Sequence, residues 1–319
     1  MRASRRASYA VRPWPVVGGV VLVLVPLATL GPGAGLAISE ILLMVLFASS
    51  LNLLMSYGGM VSFGHAAYFG LGAYGFTLAV AKFHVPIPLA LVIGPVVAAL
   101  GALVFGALCV RLTKIYFAML TLACGQITFT VLFQWYDFTG GDTGIIGFMK
   151  PSFNLDPRLF AVVVLAVVVL CLIFLWRVVN SPLGITIRSV GEDPHRAAAM
   201  GVNPRRVQLT AFVIAGFLAG IAGTMFSVFQ GNAFPDYAGI GFTLDSIVMV
   251  VLGGLNSFAG GIYGAVIYTL LKSYVPQFIQ EWELVVGIIL LMVVMWSPTG
   301  FAGGLQRLYT ALSSRKKTS

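Results

Sequence analysis

Eight stretches of this 319-residue chain contain no Asp, Glu, Lys or Arg: 13–39, 41–81, 83–110, 115–136, 159–176, 207–235, 246–271 and 284–306. Each reaches the roughly 17–25 residues that an apolar helix needs to cross the hydrocarbon of a bilayer. With 59% of residues hydrophobic and a mean hydropathy of +0.98, the chain has more apolar surface than a water-soluble domain can bury. Its solvent is therefore lipid. The formal charge of +9 does not describe a nucleic-acid-binding face, because the basic residues fall in short runs between the uncharged stretches. Cys109, Cys124 and Cys171 lie singly inside apolar runs, so they read as small packing residues, with neither disulfide nor metal spacing.

The 41–81 stretch is too long for one crossing: as a single helix it would extend about 60 Å, twice the ~30 Å hydrocarbon thickness. Tyr57-Gly58-Gly59 offers the break, followed by MVSFGH, where His65 prefers a polar setting and can start the next helix. The 246–271 stretch divides in the same way at Gly253-Gly254-Leu255-Asn256-Ser257-Phe258. With both breaks the chain has about ten spans, and both basic tails, 1–13 and 301–319, fall on one side. That side then holds fifteen of the nineteen Lys and Arg residues, leaving Lys82, Lys150, Arg158 and Lys272 outside. The asymmetry follows the positive-inside rule. The expected architecture is an all-α polytopic membrane bundle over 14–300 with cytoplasmic termini, the N-terminal tail leading into a retained first helix. The short halves of 241–275 are open to a second reading as a re-entrant pair.

The two breaks share a spelling, Gly-Gly-x-x-Ser-Phe, at Gly58–Phe63 and Gly253–Phe258, with Tyr68 and Tyr263 at the same later offset. Matching interrupted segments in two halves of a transporter point to the translocation path. Gly58, Gly59, Ser62, Gly253 and Gly254 are candidates on that ground. Asn52, Gln126 and Asp245 join them as polar residues inside apolar runs, which lipid makes costly. For Asn52 and Gln126 the plainer role is an interhelical hydrogen bond. Asp245 reads as a cap for the helix that follows, and no charged partner for it is legible. The ridge Ala215-Gly216-x-x-Ala219-Gly220-x-x-Gly223 reads as close helix packing.

Charge concentrates between Arg177 and Arg206, the largest cytoplasmic connection in this topology. Within it Asp193-Pro194 is a helix start, because Asp caps backbone N–H groups and Pro fits the first helical position. Gly201 supplies a left-handed stop. A helix of about two turns is too short to persist alone and needs a partner to pack against. Ala197-Ala198-Ala199-Met200 forms a smooth surface, and Glu192 and Arg196 can orient a partner by charge. The plainer alternative is a surface linker whose arginines only set topology.

Several patches together resemble the LivM-type permeases of branched-chain amino-acid ABC importers. They are LNLLMSYGGMVSFGHAAYFGLGAY (51–74), KIYFAMLTLACGQ (114–126), TGGDTGI (139–145), SPLGITIRSVGEDPHRAAAMGVNPRRVQLTAFVIAGFLAGIAG (181–223) and MVVLGGLNSFAGGIYGA (249–265). The resemblance implies a permease subunit, not an enzyme, that works with a second homologous permease, two cytoplasmic ATPases and an extracytoplasmic solute-binding protein in the bacterial cytoplasmic (inner) membrane. It implies that Glu192, Asp193, Arg196, Ala198 and Gly201 belong to a coupling loop read by an ATPase. It also implies that Thr139, Gly140, Gly141 and Asp142, on the outer face, serve as a binding-protein contact or gate. The chain departs from many importer permeases in carrying Ala197-Ala198-Ala199 where those have Glu-Ala-Ala. No G-x-x-x-x-G-K-[ST] loop occurs in the 319 residues, so ATP is expected to be hydrolysed by partners, and no cofactor or metal is expected on this chain. The rival reading is an ion-coupled secondary transporter, which needs titratable groups in mid-membrane. A membrane-embedded enzyme would need a catalytic constellation that the sequence does not offer.

Overall fold

The computed structural model describes residues 32–148, 157–255, 257–278 and 281–296. Both basic tails and most of the expected first span, 13–39, lie outside them. The described chain is helical almost throughout. Helix α1 (Pro32–Asn52) widens into a π-turn (Leu53–Tyr57), and α2 (Ala66–Ala81), α3 (Ile87–Cys109) and α4 (Lys114–Gln134) follow. A one-turn α5 (Tyr136–Thr139) leads to the strand β1 (Ile145–Ile146) and then to α6 (Pro157–Asn180). Next come α7 (Pro182–Glu192), α8 (Pro194–Ala199), α9 (Pro204–Gln230) and β2 (Asn232–Ala233). The chain continues through α10 (Ile240–Gly253) and α11 (Phe258–Tyr274) to α12 (Trp282–Trp296).

Among the described residues five helices are long and apolar enough to cross a membrane: Gly35–Tyr57, Ile87–Cys109, Lys114–Gln134, Arg158–Asn180 and Pro204–Gln230. Their burial separates hub from rim. The most apolar window of the first is 89% buried and that of Pro204–Gln230 is 67% buried, against 28–33% for the other three. A helix apolar on all sides belongs at the centre of a bundle, and α1 is there. The rim helices turn Leu89, Val92 and Val96 of α3 and Val162, Leu170 and Phe174 of α6 outward. Exposed leucine, valine and phenylalanine along whole helices call for lipid or a partner subunit against them.

Helix α9 meets α2 and α3 through small residues, as its ridge requires. A Cβ added to Gly216 would overlap Ala102, one on Gly220 would overlap Ala98, and one on Gly223 would overlap the Phe69 backbone. Without side chains between them the backbones approach closely, and dispersion replaces the hydrophobic effect that lipid cannot supply. Thr224 Oγ1 donates to the Gly72 carbonyl across the same contact, at 3.0 Å. The three cysteines are free and buried in this packing.

Two expectations need correction. Helix α1 passes straight through Glu40, so that charge does not separate two spans. Burial is the larger influence on Glu40, and the field of Lys272 offsets only part of it. Asp245 is the sixth residue of α10, not a cap, because that helix starts at Ile240 after Gly239. The 246–271 stretch forms two helices bent by 117°, with the break where it was expected. Gly253 and Gly264 let them touch, since a Cβ on Gly253 would strike the Gly260 carbonyl and one on Gly264 the Met249 carbonyl. At ~1.5 Å per residue, the two helices extend only about 21 and 26 Å.

Candidate functional site

The charged connection folds as its capping residues dictate. Asp193 Oδ1 accepts from the amides of His195 (3.0 Å) and Arg196 (3.2 Å), Pro194 occupies the first helical position, and Gly201 stops the chain at φ 83°. Asn203 repeats the device for α9, accepting from Arg206 N at 3.3 Å. Arg196 pairs with Asp193 at 3.0 Å rather than with Glu192, and its side chain remains 82% exposed. So exposed a pair contributes little stability, which leaves Arg196 and Glu192 available to a partner. Ala197 is buried against its own chain, while Ala198, Ala199 and Met200 are exposed, Met200 by 84%. The exposed surface is thus narrower than the expected four residues. Next to it a groove of about 580 Å³, with Arg111, Thr113, His195, Ala198 and Arg205 on its walls, joins α8 to the α3–α4 turn.

Helix α7 ties this segment to the first glycine break. Gly191, in its last turn, lies so close that a Cβ there would sit 2.8 Å from the Tyr57 carbonyl oxygen and 2.8 Å from the Gly58 carbonyl carbon. Gly59, at φ 62°, faces Gly191 in turn. The Arg188 guanidinium stacks over the Tyr57 ring, 4.6 Å from its centroid, a cation–π contact. Sequence reasoning missed this junction, because nothing local in Arg188 or Gly191 names a partner so distant along the chain.

The two breaks agree where the helices stop and differ where they restart. In each the second glycine takes a positive φ, 62° at Gly59 and 111° at Gly254. After the first, eight residues intervene before α2. After the second, α11 begins at Phe258, four residues beyond Gly254. Ser62 and His65 are fully buried in the first break, with His65 Nε2 2.8 Å from Ser50 Oγ. The polar setting expected for His65 is supplied by the Ser50 hydroxyl inside the protein, not by water, and His65 stands at the start of α2. Asn52 links the breaks: its Nδ2 donates to the Ser257 carbonyl at 3.0 Å, the interhelical bond that was its plainer reading.

Asp245 is not alone. Tyr268 O–H donates to its Oδ1, and Lys272 Nζ donates to Oδ2 at 2.6 Å. Tyr268 and Lys272 are spaced i, i+4 on α11, so both face α10. That spacing was the one signal in the sequence. These groups open on a cavity of about 600 Å³ whose polar wall holds Gln126, Asp236, Asp245, Lys272 and Glu283. Gln126 thus faces a cavity, while Gly58, Gly59, Ser62, Gly253 and Gly254 are not among its lining residues.

The loop over 139–146 fastens two helix ends. Thr139 Oγ1 lies 2.6 Å from the Leu132 carbonyl and 2.7 Å from that of Trp135, both at the end of α4. Gly140, Gly141 and Gly144 take positive φ, and β1 pairs antiparallel with β2 beyond α9. Asp142 is exposed.

The described chain is thus a bundle of apolar helices in which a capped, exposed helix is tied to an interrupted one, the architecture of a polytopic membrane protein. Over residues 35–295 the chain matches the family model of the permease component of branched-chain amino acid transport systems, and it belongs to that family. It is 28% identical over 283 residues to the high-affinity branched-chain amino acid transport system permease protein LivM of Escherichia coli, covering 80% of this chain and 67% of that one. A probable LivM of Methanocaldococcus jannaschii is 22% identical, covering 79% of this chain and 88% of its own. LivH of E. coli is 30% identical over a shorter 125 residues, 39% of this chain and 40% of LivH. No solved structure matches the chain significantly.

Proposed function

We propose that this chain is one of two homologous permease subunits of an ATP-driven importer, and that it moves branched-chain or similarly hydrophobic amino acids inward across a bacterial cytoplasmic membrane. In this reading it crosses ten times with both basic tails inside, a solute-binding protein delivers at the Thr139–Asp142 side, and two ATPases engage α8. The observation that carries the reading is the junction from exposed α8 through α7 to the Gly58-Gly59 break. Closure of an ATPase pair displaces α8, and α7 transmits the displacement because its end abuts the break backbone to backbone. A stiff lever acting on an interrupted helix is a physical route to alternating access.

Charge reversal of Glu192→Arg together with Arg196→Glu tests this. Insertion and ATP hydrolysis should persist while uptake falls by ~10-fold, the scale of a coupling energy of ~1.4 kcal/mol. Unchanged uptake in the double variant counts against α8 as the docking element.

One observation favours a second reading. The Asp245–Lys272 pair supplies the charged partner that an ion-coupled carrier needs. Uptake driven by an ion gradient without ATP would establish that reading. Membership of the permease family supports the first.

A further inference from the structure

The cavity beside Asp245 is built for a particular charge distribution. Its ion pair is only part-buried, with Lys272 40% and Asp245 22% exposed at the side chain. Lys272 Nζ also stands 5.7 Å from the Phe242 ring centroid and 6.0 Å from that of Tyr268, so aromatic faces surround the cation. Asp236 and Glu283 add two carboxylates to the wall, and Gln126 adds an amide. Phe129, Phe242, Val248, Val286 and Leu290 supply the apolar part of the wall. The volume, about 600 Å³, lies within the ~300–1,000 Å³ typical of small-molecule sites.

The wall as a whole carries three carboxylates, Asp236, Asp245 and Glu283, against the one ammonium of Lys272. An anion drawn to Lys272 would meet those carboxylates as like charges, and a simple cation drawn to the carboxylates would offer nothing to Lys272. A zwitterion avoids this. Its carboxylate can take Lys272 while its ammonium takes Asp245, so two charge-assisted pairs replace one and no net charge enters. We propose that this cavity is an α-amino-acid site within the permease, with Lys272 and Gln126 facing the carboxylate. Asp245 and Glu283 receive the ammonium, and the Phe129–Phe242–Leu290 wall receives an aliphatic side chain. The proposal rests on the importer reading for its choice of solute and assigns this chain a selectivity of its own.

The test uses the complete importer in proteoliposomes carrying Gly241→Cys. Gly241 lines the cavity, and a Cβ there meets nothing within 4 Å, so the substitution is tolerated. The rate of thiol labelling is measured with leucine, with isoamylamine (no carboxylate) and with 4-methylpentanoate (no ammonium). Leucine should slow labelling about fivefold or more and the two half-ligands should not. Lys272→Met should abolish protection, and Lys272→Arg should retain it. Equal protection by all three compounds, or by none, overturns the site. If uptake remains ATP-driven in that case, the importer reading stands without it. Protection by leucine alone, with uptake independent of ATP, supports the site and refutes the importer reading.

Discussion

Replacing Gly191 with valine is expected to leave the chain inserted and assembled while cutting uptake at least ~10-fold with ATP hydrolysis retained. The effect follows from one contact. The end of α7 and the Gly58-Gly59 break meet with no side chain between them, and a single added Cβ would come within 2.8–2.9 Å of Tyr57 O, Gly58 C and Gly58 O. Those are backbone atoms, which cannot swing aside as a flexible side chain would. Valine therefore separates α7 from the break, and Arg188 loses its alignment over Tyr57. Motion of α8 then no longer reaches α2. A loss of ~1.4 kcal/mol of coupling suffices for the tenfold change, within the usual range for linked sites. Parallel assays of ATPase rate and uptake check it. Equal loss of both would mean that the contact only supports folding.

Gly223→Leu should be more damaging still, and to assembly rather than coupling. A Cβ at 223 would lie 2.7 Å from the Phe69 carbonyl carbon and closer to its oxygen, at the crossing of α9 with α2. Overpacking a well-filled core costs typically ~1–3 kcal/mol, and a contact onto backbone belongs at the upper end. The variant is expected to aggregate on mild heating in detergent, where the parent chain still runs as one species in size-exclusion chromatography. Gly241→Ala is the control, since its added methyl meets no atom within 4 Å, and it should behave as the parent. Wild-type heat tolerance in Gly223→Leu would contradict the packing described.

What the sequence disclosed depended on how local the cause was. Asp193, Pro194 and Gly201 specify a short helix by capping and backbone geometry within nine residues, and that helix is found. The glycine stops after Tyr57 and at Gly253 are equally local. Glu40 misled because a charge usually marks a membrane boundary, whereas here the helix runs through it and Lys272, from a helix far along the chain, offsets part of the cost of burial. The same lysine explains the misreading of Asp245. Its partners follow at positions 268 and 272, across a 117° bend that no local pattern announces. The Gly191–Gly58 contact was hidden for the same reason: glycine carries no chemical label for the backbone it touches.

The central claim is that α8 hands work from an ATPase to this permease. The most direct measurement is photo-crosslinking from a single cysteine at Ala198→Cys, exposed on that helix, in the native membrane, with mass spectrometry of the captured species. The expected product is a nucleotide-binding subunit carrying a P-loop, with a yield that changes when ATP is trapped. A chain that yields no ATPase adduct, yet still moves amino acid in vesicles without ATP, would contradict the account.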